Sequence, residues 1–319
     1  MLIVRNLSTL DRREVVVDPR DAFAEFLRLN VADGDASPDT IRAYKSGVRA
    51  FYDFCQVRGI HPANATEYDV MEWRRAMVED GLAPSTINLK LCAVRRFFAA
   101  AVWRGIRPDN PAEGLKAKSD GRRMDQYLTQ GQLGALFHAA RGNTLAALRD
   151  RLVLAMGALQ GLRSVEIVRL RPSDIREQGG HPVATVRGKT GQREVYLRPD
   201  VLRLIEDYLK ARAEEGLPAG PDDSLIISLA NGSRGQGITR GSLRRLVSGY
   251  LDTIGVTGRA NSTHLLRHSY ATITLAAGAE LRQVQESMGH SDPRTTARYA
   301  HATERAERNP ALFIEEVEL

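Results

Sequence analysis

Sulfur is scarce: the 319 residues include two cysteines, Cys55 and Cys92. Neither belongs to a CxxC pair or has a histidine at ligand spacing, and both fall in apolar, helix-periodic stretches. The sequence therefore predicts small buried side chains in place of a disulfide framework or a zinc site. Long apolar runs are missing too, since no stretch approaches the roughly 20 uninterrupted residues of a membrane span. The opening Met1-Leu2-Ile3-Val4-Arg5 lacks the build of a secretory signal. These absences predict a cytoplasmic protein with no membrane partner. Internal repeats and low-complexity tracts are absent as well. So are the HExxH spacing of a metalloprotease and the GxxxxGK[ST] spacing of a nucleotide-binding loop. The expectation is no metal and no cofactor.

What is present is an ordinary globular mixture, 43% hydrophobic and 26% charged, with a length that suggests about two domains. The 45 Lys and Arg exceed the 39 Asp and Glu by six, and the distribution matters more than the total. From Arg234 to Thr272 stand Arg234, Arg240, Arg244, Arg245, Arg259 and Arg267, opposed only by Asp252. An arginine excess of that kind favours a polyanionic, phosphate-bearing partner.

Periodicity divides the chain. Pro19 to Asn30 reads as a helix. Ser37-Pro38 starts a second, with Ile41, Tyr44, Val48, Phe51, Tyr52 and Cys55 at three- and four-residue spacing until Gly59. Thr66 caps a third through Asp80. Pro84 to Trp103 makes a fourth, with Ile87, Leu91, Val94, Phe98 and Val102 on its inner face and Lys90, Arg95 and Arg96 elsewhere. The predicted domains are a helical 1–115, a basic linker 116–126, and 127–319 ending in a tail at 304–319. In the second domain a capped helix is predicted at Thr129 and a mostly apolar one over Thr144 to Gln160. Short strands are predicted at Pro182–Arg187, Arg193–Leu197 and Leu225–Ser228. Helices follow at Pro199–Ala213, Thr239–Ile254, Thr263–Ala277, Leu281–Met288 and Arg294–Ala302. The fold class is mainly α with a small antiparallel β-sheet in the C-terminal domain.

Taken singly, the polar residues of this second domain say little. Arg163 sits where one helix ends and another begins, near unpaired N–H groups suited to a phosphate, but a lone arginine is ordinarily a surface residue. Glu166, three residues on, reads as a capping partner or a salt bridge to it. Lys189, in Gly188-Lys189-Thr190-Gly191, is either a solvated turn residue or a flexible proton donor. His264 and Arg267 share a helix face and can converge on one anion, whereas His268 reads as a structural residue of that helix. His290 and Tyr299 read as a helix cap and a packing aromatic.

The combination carries more. Gly161-Leu162-Arg163-Ser164-Val165-Glu166, the loop lysine Lys189, His264-Leu265-Leu266-Arg267-His268-Ser269-Tyr270, Met288-Gly289-His290-Ser291-Asp292 and the late Tyr299 occur in that order. This resembles the catalytic signature of the tyrosine recombinase, or phage integrase, family. The likeness extends to the N-terminal helices, which resemble that family's core-binding domain, and it departs mildly at Met288, where leucine is expected.

The resemblance implies a two-domain DNA clamp that cleaves and rejoins DNA through a 3′-phosphotyrosyl link on Tyr299, without metal or ATP. Arg163 and Arg267 would hold the non-bridging oxygens, a task suited to permanently charged forks. His264 would transfer a proton or bond the transition state, His290 would hydrogen-bond the phosphate, and Lys189 would protonate the 5′-leaving oxygen. Double-stranded DNA with inverted half-sites is the implied partner. The acidic tail, with Leu312, Phe313, Ile314, Val317 and Leu319, would dock on a neighbour in a tetramer. A second recombinase or accessory protein is left open. With few residues ahead of Pro19, the organisation looks closest to compact Xer-type, integron or transposon recombinases. Arg240, Arg244, Arg245, Lys90 and Arg95 are the candidate DNA contacts. Two alternatives remain: a type IB topoisomerase, which relaxes DNA as a monomer, and a non-catalytic DNA-binding regulator on the same scaffold.

Overall fold

The computed structural model describes residues 18–31, 38–116, 126–188, 191–258 and 262–289. They form two compact units, one within 1–123 and the other within 124–319.

The described residues of the first unit form four α-helices: α1 (Pro19–Asn30), α2 (Pro38–Val57), α3 (Glu67–Glu79) and α4 (Pro84–Trp103). Helix α3 starts at Thr66, whose hydroxyl accepts the Asp69 N–H while Asp69 accepts the Thr66 N–H, a reciprocal box that satisfies two otherwise orphan donors. Apolar residues wrap more than one side of α4, so it takes the centre, and α1, α2 and α3 all pack on it. Phe23, Phe51, Trp73, Phe97 and Phe98 fill the space between with edge-to-face contacts. Gly47 brings α2 onto α4: a Cβ there would lie 2.6 Å from that of Ala93. Val102 is the exception to the predicted inner face. It is 37% exposed, and Ala101 is buried in its place, because the 3.6-residue period drifts by one position over the helix's last turn.

The second unit contains α5 (Gln130–Ala139), α6 (Leu145–Ala158), α7 (Ser164–Arg169), β1 (Ile175–Gln178), β2 (His181–Arg187), β3 (Gln192–Tyr196), α8 (Pro199–Glu214), α9 (Arg240–Thr253), α10 (Thr263–Ala276) and α11 (Leu281–Met288). The second half of helix α6, Leu152–Ala158, is apolar and buried on every side and forms the core, with α8 and α10 packed against the helix. The three strands make an antiparallel sheet in the order β1-β2-β3, with Val183 opposite Tyr196 and Ile175 opposite Ala184.

The strand predicted at Leu225–Ser228 is instead a single bridge between Ile227 and Gly237. Its backbone finds other partners. The Ile227 N–H donates to the Tyr208 hydroxyl at 3.1 Å, and the buried Arg212 donates to the carbonyls of Ser224 and Leu225 at 3.0 Å each. Side chains from α8 thus supplement the backbone bonds that Ser228 N–H makes to Gln236 O and Ile238 N–H makes to Ile226 O. The helix predicted at Arg294–Ala302 and the tail lie outside the described residues.

Candidate active site

The site forms where the loop after α6, the start of α7, the inner face of β3, the first turns of α10 and the end of α11 meet. Gly161 turns the chain from α6 with φ +63°, and a Cβ there would lie 2.5 Å from the Tyr270 ring. Glycine is therefore required on two counts, backbone conformation and space. The turn delivers Arg163 to the N-cap of α7.

Glu166, fully buried, is the hub. Its carboxylate accepts the Arg163 N–H at 2.7 Å, Arg163 Nη1 at 3.0 Å and Arg193 Nη2 at 3.1 Å, with Arg193 Nη1 also bonded to it. Arg267 Nη1 approaches to 4.0 Å. Burial alone would raise the Glu166 pKa, but the hydrogen bonds from Arg193 and the Arg163 N–H, with both guanidinium charges, hold it below the ordinary glutamate value. A buried charge is tolerable only with such pairing.

The same arginines reach the end of α11. Arg193 Nε donates to Ser287 O at 3.2 Å, Arg267 Nη2 to Met288 O at 2.6 Å and Arg163 Nη2 to Gly289 O at 2.8 Å. Arg267, only 4% exposed, also donates to Gly161 O. A helix leaves its last carbonyls without intrahelical partners, and here three successive ones are taken by three different arginines. Tyr270 adds a 2.9 Å contact between its hydroxyl and that of Ser287. On the first turn of α10, the imidazole of His264 has its pKa lowered by desolvation and then by the charges of Arg267 and Arg163, which keeps it neutral at pH 7.

Three of the six sequence candidates are thus brought together: Arg163, His264 and Arg267. Lys189, His290 and Tyr299 lie outside the described residues. The hairpin flanking Lys189 is closed by Gly188 N–H to Gly191 O at 2.8 Å, and Arg169 Nη1 donates to Gly188 O at 2.8 Å. Among the candidate DNA contacts, Arg240, Arg244 and Arg245 are exposed on α9 and Lys90 is half-buried. Arg95 is otherwise engaged. Its Nε donates to Ala112 O at 3.1 Å and its Nη2 to Leu115 O at 2.7 Å, tying the chain after α4 back onto that helix. Arg193 was not among the candidates, although it shares an inward strand face with Val195, a signal that an inward arginine needs a buried acid. No group of three or more metal-ligating side chains occurs among the described residues, and none of their helices is long and apolar enough to cross a membrane.

Comparison with known proteins gives the family. Residues 126–306, more than half of the chain, match the Phage integrase family, and residues 21–105 match its N-terminal SAM-like domain. Tyrosine recombinase XerC of Pelobacter propionicus is 33% identical over 270 residues, covering 84% of this chain and 86% of that protein. XerC of Oceanobacillus iheyensis is 30% identical over 286 residues, covering 89% and 91%. Among solved structures, the XerH site-specific recombinase bound to a palindromic difH substrate aligns with a TM-score of 0.73 at 21% identity, covering 92% of this chain and 85% of that one. A lambda integrase dimer bound to a COC′ core site aligns at 0.67 and 18%, covering 94% and 99%. The last two share the fold. The chain belongs to the phage integrase family. It is a tyrosine recombinase, an enzyme of site-specific DNA strand exchange.

Proposed function

We propose that Tyr299 is the nucleophile of this recombinase and that Arg163, Arg267 and His264 form its phosphate pocket. The observation that carries this reading is the convergence of the Arg163 and Arg267 guanidiniums on the buried Glu166, with the His264 imidazole within reach of both charges. The Tyr299 oxygen attacks the scissile phosphorus, passing its phenolic proton to the His264 imidazole, and forms a phosphotyrosyl ester. The P–O5′ bond breaks, and the departing oxygen takes a proton from Lys189. Arg163 and Arg267 offset the charge that develops on the non-bridging oxygens, His264 hydrogen-bonds or shuttles a proton there, and His290 completes the set. Attack by a different 5′-hydroxyl reverses the step and exchanges strands. Bond energy is conserved in the ester, so the sequence of steps consumes neither ATP nor a metal-activated water.

The substrate in this reading is duplex DNA with inverted half-sites, bound in the cytoplasm, with Arg240, Arg244, Arg245 and Lys90 as candidate contacts. Four protomers assemble on paired sites by exchange of the 304–319 tail. Organisation around a short spacer fits the resemblance to Xer enzymes.

The test is covalent trapping on a randomised duplex library with 5′-bridging phosphorothiolates, comparing wild type with Tyr299→Phe and sequencing the attached DNA. Adducts on inverted half-sites, absent from Tyr299→Phe at unchanged DNA affinity, are the expected result. An adduct that survives in Tyr299→Phe refutes the nucleophile assignment, and adducts scattered over unpaired sites refute the half-site reading.

A further inference from the structure

Arg193 is an arginine on a sheet whose three side-chain nitrogens are all engaged by protein. Nη1 and Nη2 hold the two oxygens of Glu166, and Nε holds Ser287 O, while the side chain is 17% exposed. Its aliphatic part lies against Gly289, where an added Cβ would sit 2.8 Å from Arg193 Cδ and 2.9 Å from Nε. Gly289 has φ +61° and ends α11 in a left-handed turn. The chain then passes directly to His290. One side chain therefore touches both the acid that orients Arg163 and the turn from which His290 departs.

From this geometry we infer that Arg193 is a positioning residue for strand exchange, acting through Glu166 and Ser287 and making no DNA contact of its own. Two links support it. Glu166 grips Arg163 at both its N–H and its guanidinium, so a carboxylate displaced by loss of Arg193 would carry Arg163 with it. The carbonyls of Ser287, Met288 and Gly289 are shared among Arg193, Arg267 and Arg163, so releasing the first lets the other two pull on an untethered helix end. A planar fork is needed for this. An ammonium can neutralise Glu166 but cannot span its two oxygens and a carbonyl on the other side in fixed directions.

The inference rests on the strand-exchange reading above, and its test separates the two. Arg193→Lys and Arg193→Ala are made in the full chain. For each, the rate of adduct formation at saturating phosphorothiolate duplex, the Kd for the same duplex, and hydrogen exchange of the backbone amides over 281–289 are measured. Arg193→Lys keeps a partner for Glu166 and so keeps the fold. It is expected to bind DNA as wild type does while losing about 100-fold in rate, the scale of an ångström-sized misplacement of reacting groups. The amides at the end of α11, including the Gly289 N–H that donates to Glu286 O at 3.0 Å, are expected to exchange faster. In Arg193→Ala, millimolar guanidinium is expected to restore part of the rate.

A folded Arg193→Lys with wild-type rate and wild-type protection overturns the inference. So does a loss of DNA affinity that accounts for the loss of rate, since it would make Arg193 a DNA contact. If wild type itself forms no adduct, the strand-exchange chemistry assigned here has failed, and exchange over 281–289 decides the positioning role alone: unchanged protection in Arg193→Lys overturns it.

Discussion

Replacing Glu166 by glutamine removes one charge and almost no volume, which makes it a clean probe of the buried hub. The carboxylate accepts from Arg163 twice and from Arg193 twice, and it is fully buried. The amide would turn an NH2 group toward donors and leave two guanidiniums without their counter-charge. Breaking one side of a buried pair costs about 3–5 kcal/mol. In a unit of this size the lower value corresponds to a fall in Tm of about 10 °C. Both tryptophans, Trp73 and Trp103, lie in the first unit, so tryptophan fluorescence reports that unit and serves as an internal reference. Thermal unfolding followed by far-ultraviolet circular dichroism should show an early transition in Glu166→Gln while the fluorescence transition stays in place. The pH dependence has a defined sign. Glu166 titrates below its ordinary value near 4.5 in the folded protein, so its contribution is fully present above that pH and disappears as pH falls through the folded value. The gap between wild type and Glu166→Gln should be constant from pH 6 to 8 and close only in acid. A shift of under about 2 °C at pH 7, or a gap that widens in acid, refutes the assignment of Glu166 as a paired, ionised hub.

Two further outcomes test the chemistry and the assembly. Lys189→Ala should cleave an ordinary duplex poorly and a 5′-bridging phosphorothiolate duplex well, because sulfur leaves without a proton; failure of this rescue removes lysine from the acid role. Deleting the residues after Pro310 should weaken cooperative assembly on DNA in gel-shift titrations, and unchanged cooperativity counts against tail exchange.

Much of this was legible because local chemistry announced it. Thr66 and Thr129 each stand three residues before a side chain that can return the hydrogen bond, and both helices start there. The bounds of α1, α4 and α11 match the proline starts and apolar spacing read from sequence. What escaped depends on contacts distant in the chain. Strand β1, Ile175–Gln178, has one apolar residue and no alternation, and exists because β2 pairs with it. Arg95 reads from sequence as a candidate DNA contact, since nothing near it reveals that the chain returns at Ala112 and Leu115. Glu166 was readable as the partner of Arg163, three residues away, but its second arginine lies 27 positions on, across two strands. Sequence proximity exposed half of the hub and topology supplied the rest.

The end of α11 also bears on how the proposed pocket would distinguish a bound phosphate from a reacting one. Arg163, Arg193 and Arg267 bring three positive charges together, and Glu166 removes one. The negative end of a helix contributes about half a charge more, through the carbonyls of Ser287, Met288 and Gly289. Among these groups, before any contribution from Lys189, roughly one and a half positive charges remain. A resting phosphodiester carries one negative charge, whereas the pentavalent arrangement formed during its cleavage carries nearly two. A fixed net positive charge, set in place before DNA arrives, would attract the second more strongly than the first, which is the difference that accelerates a reaction.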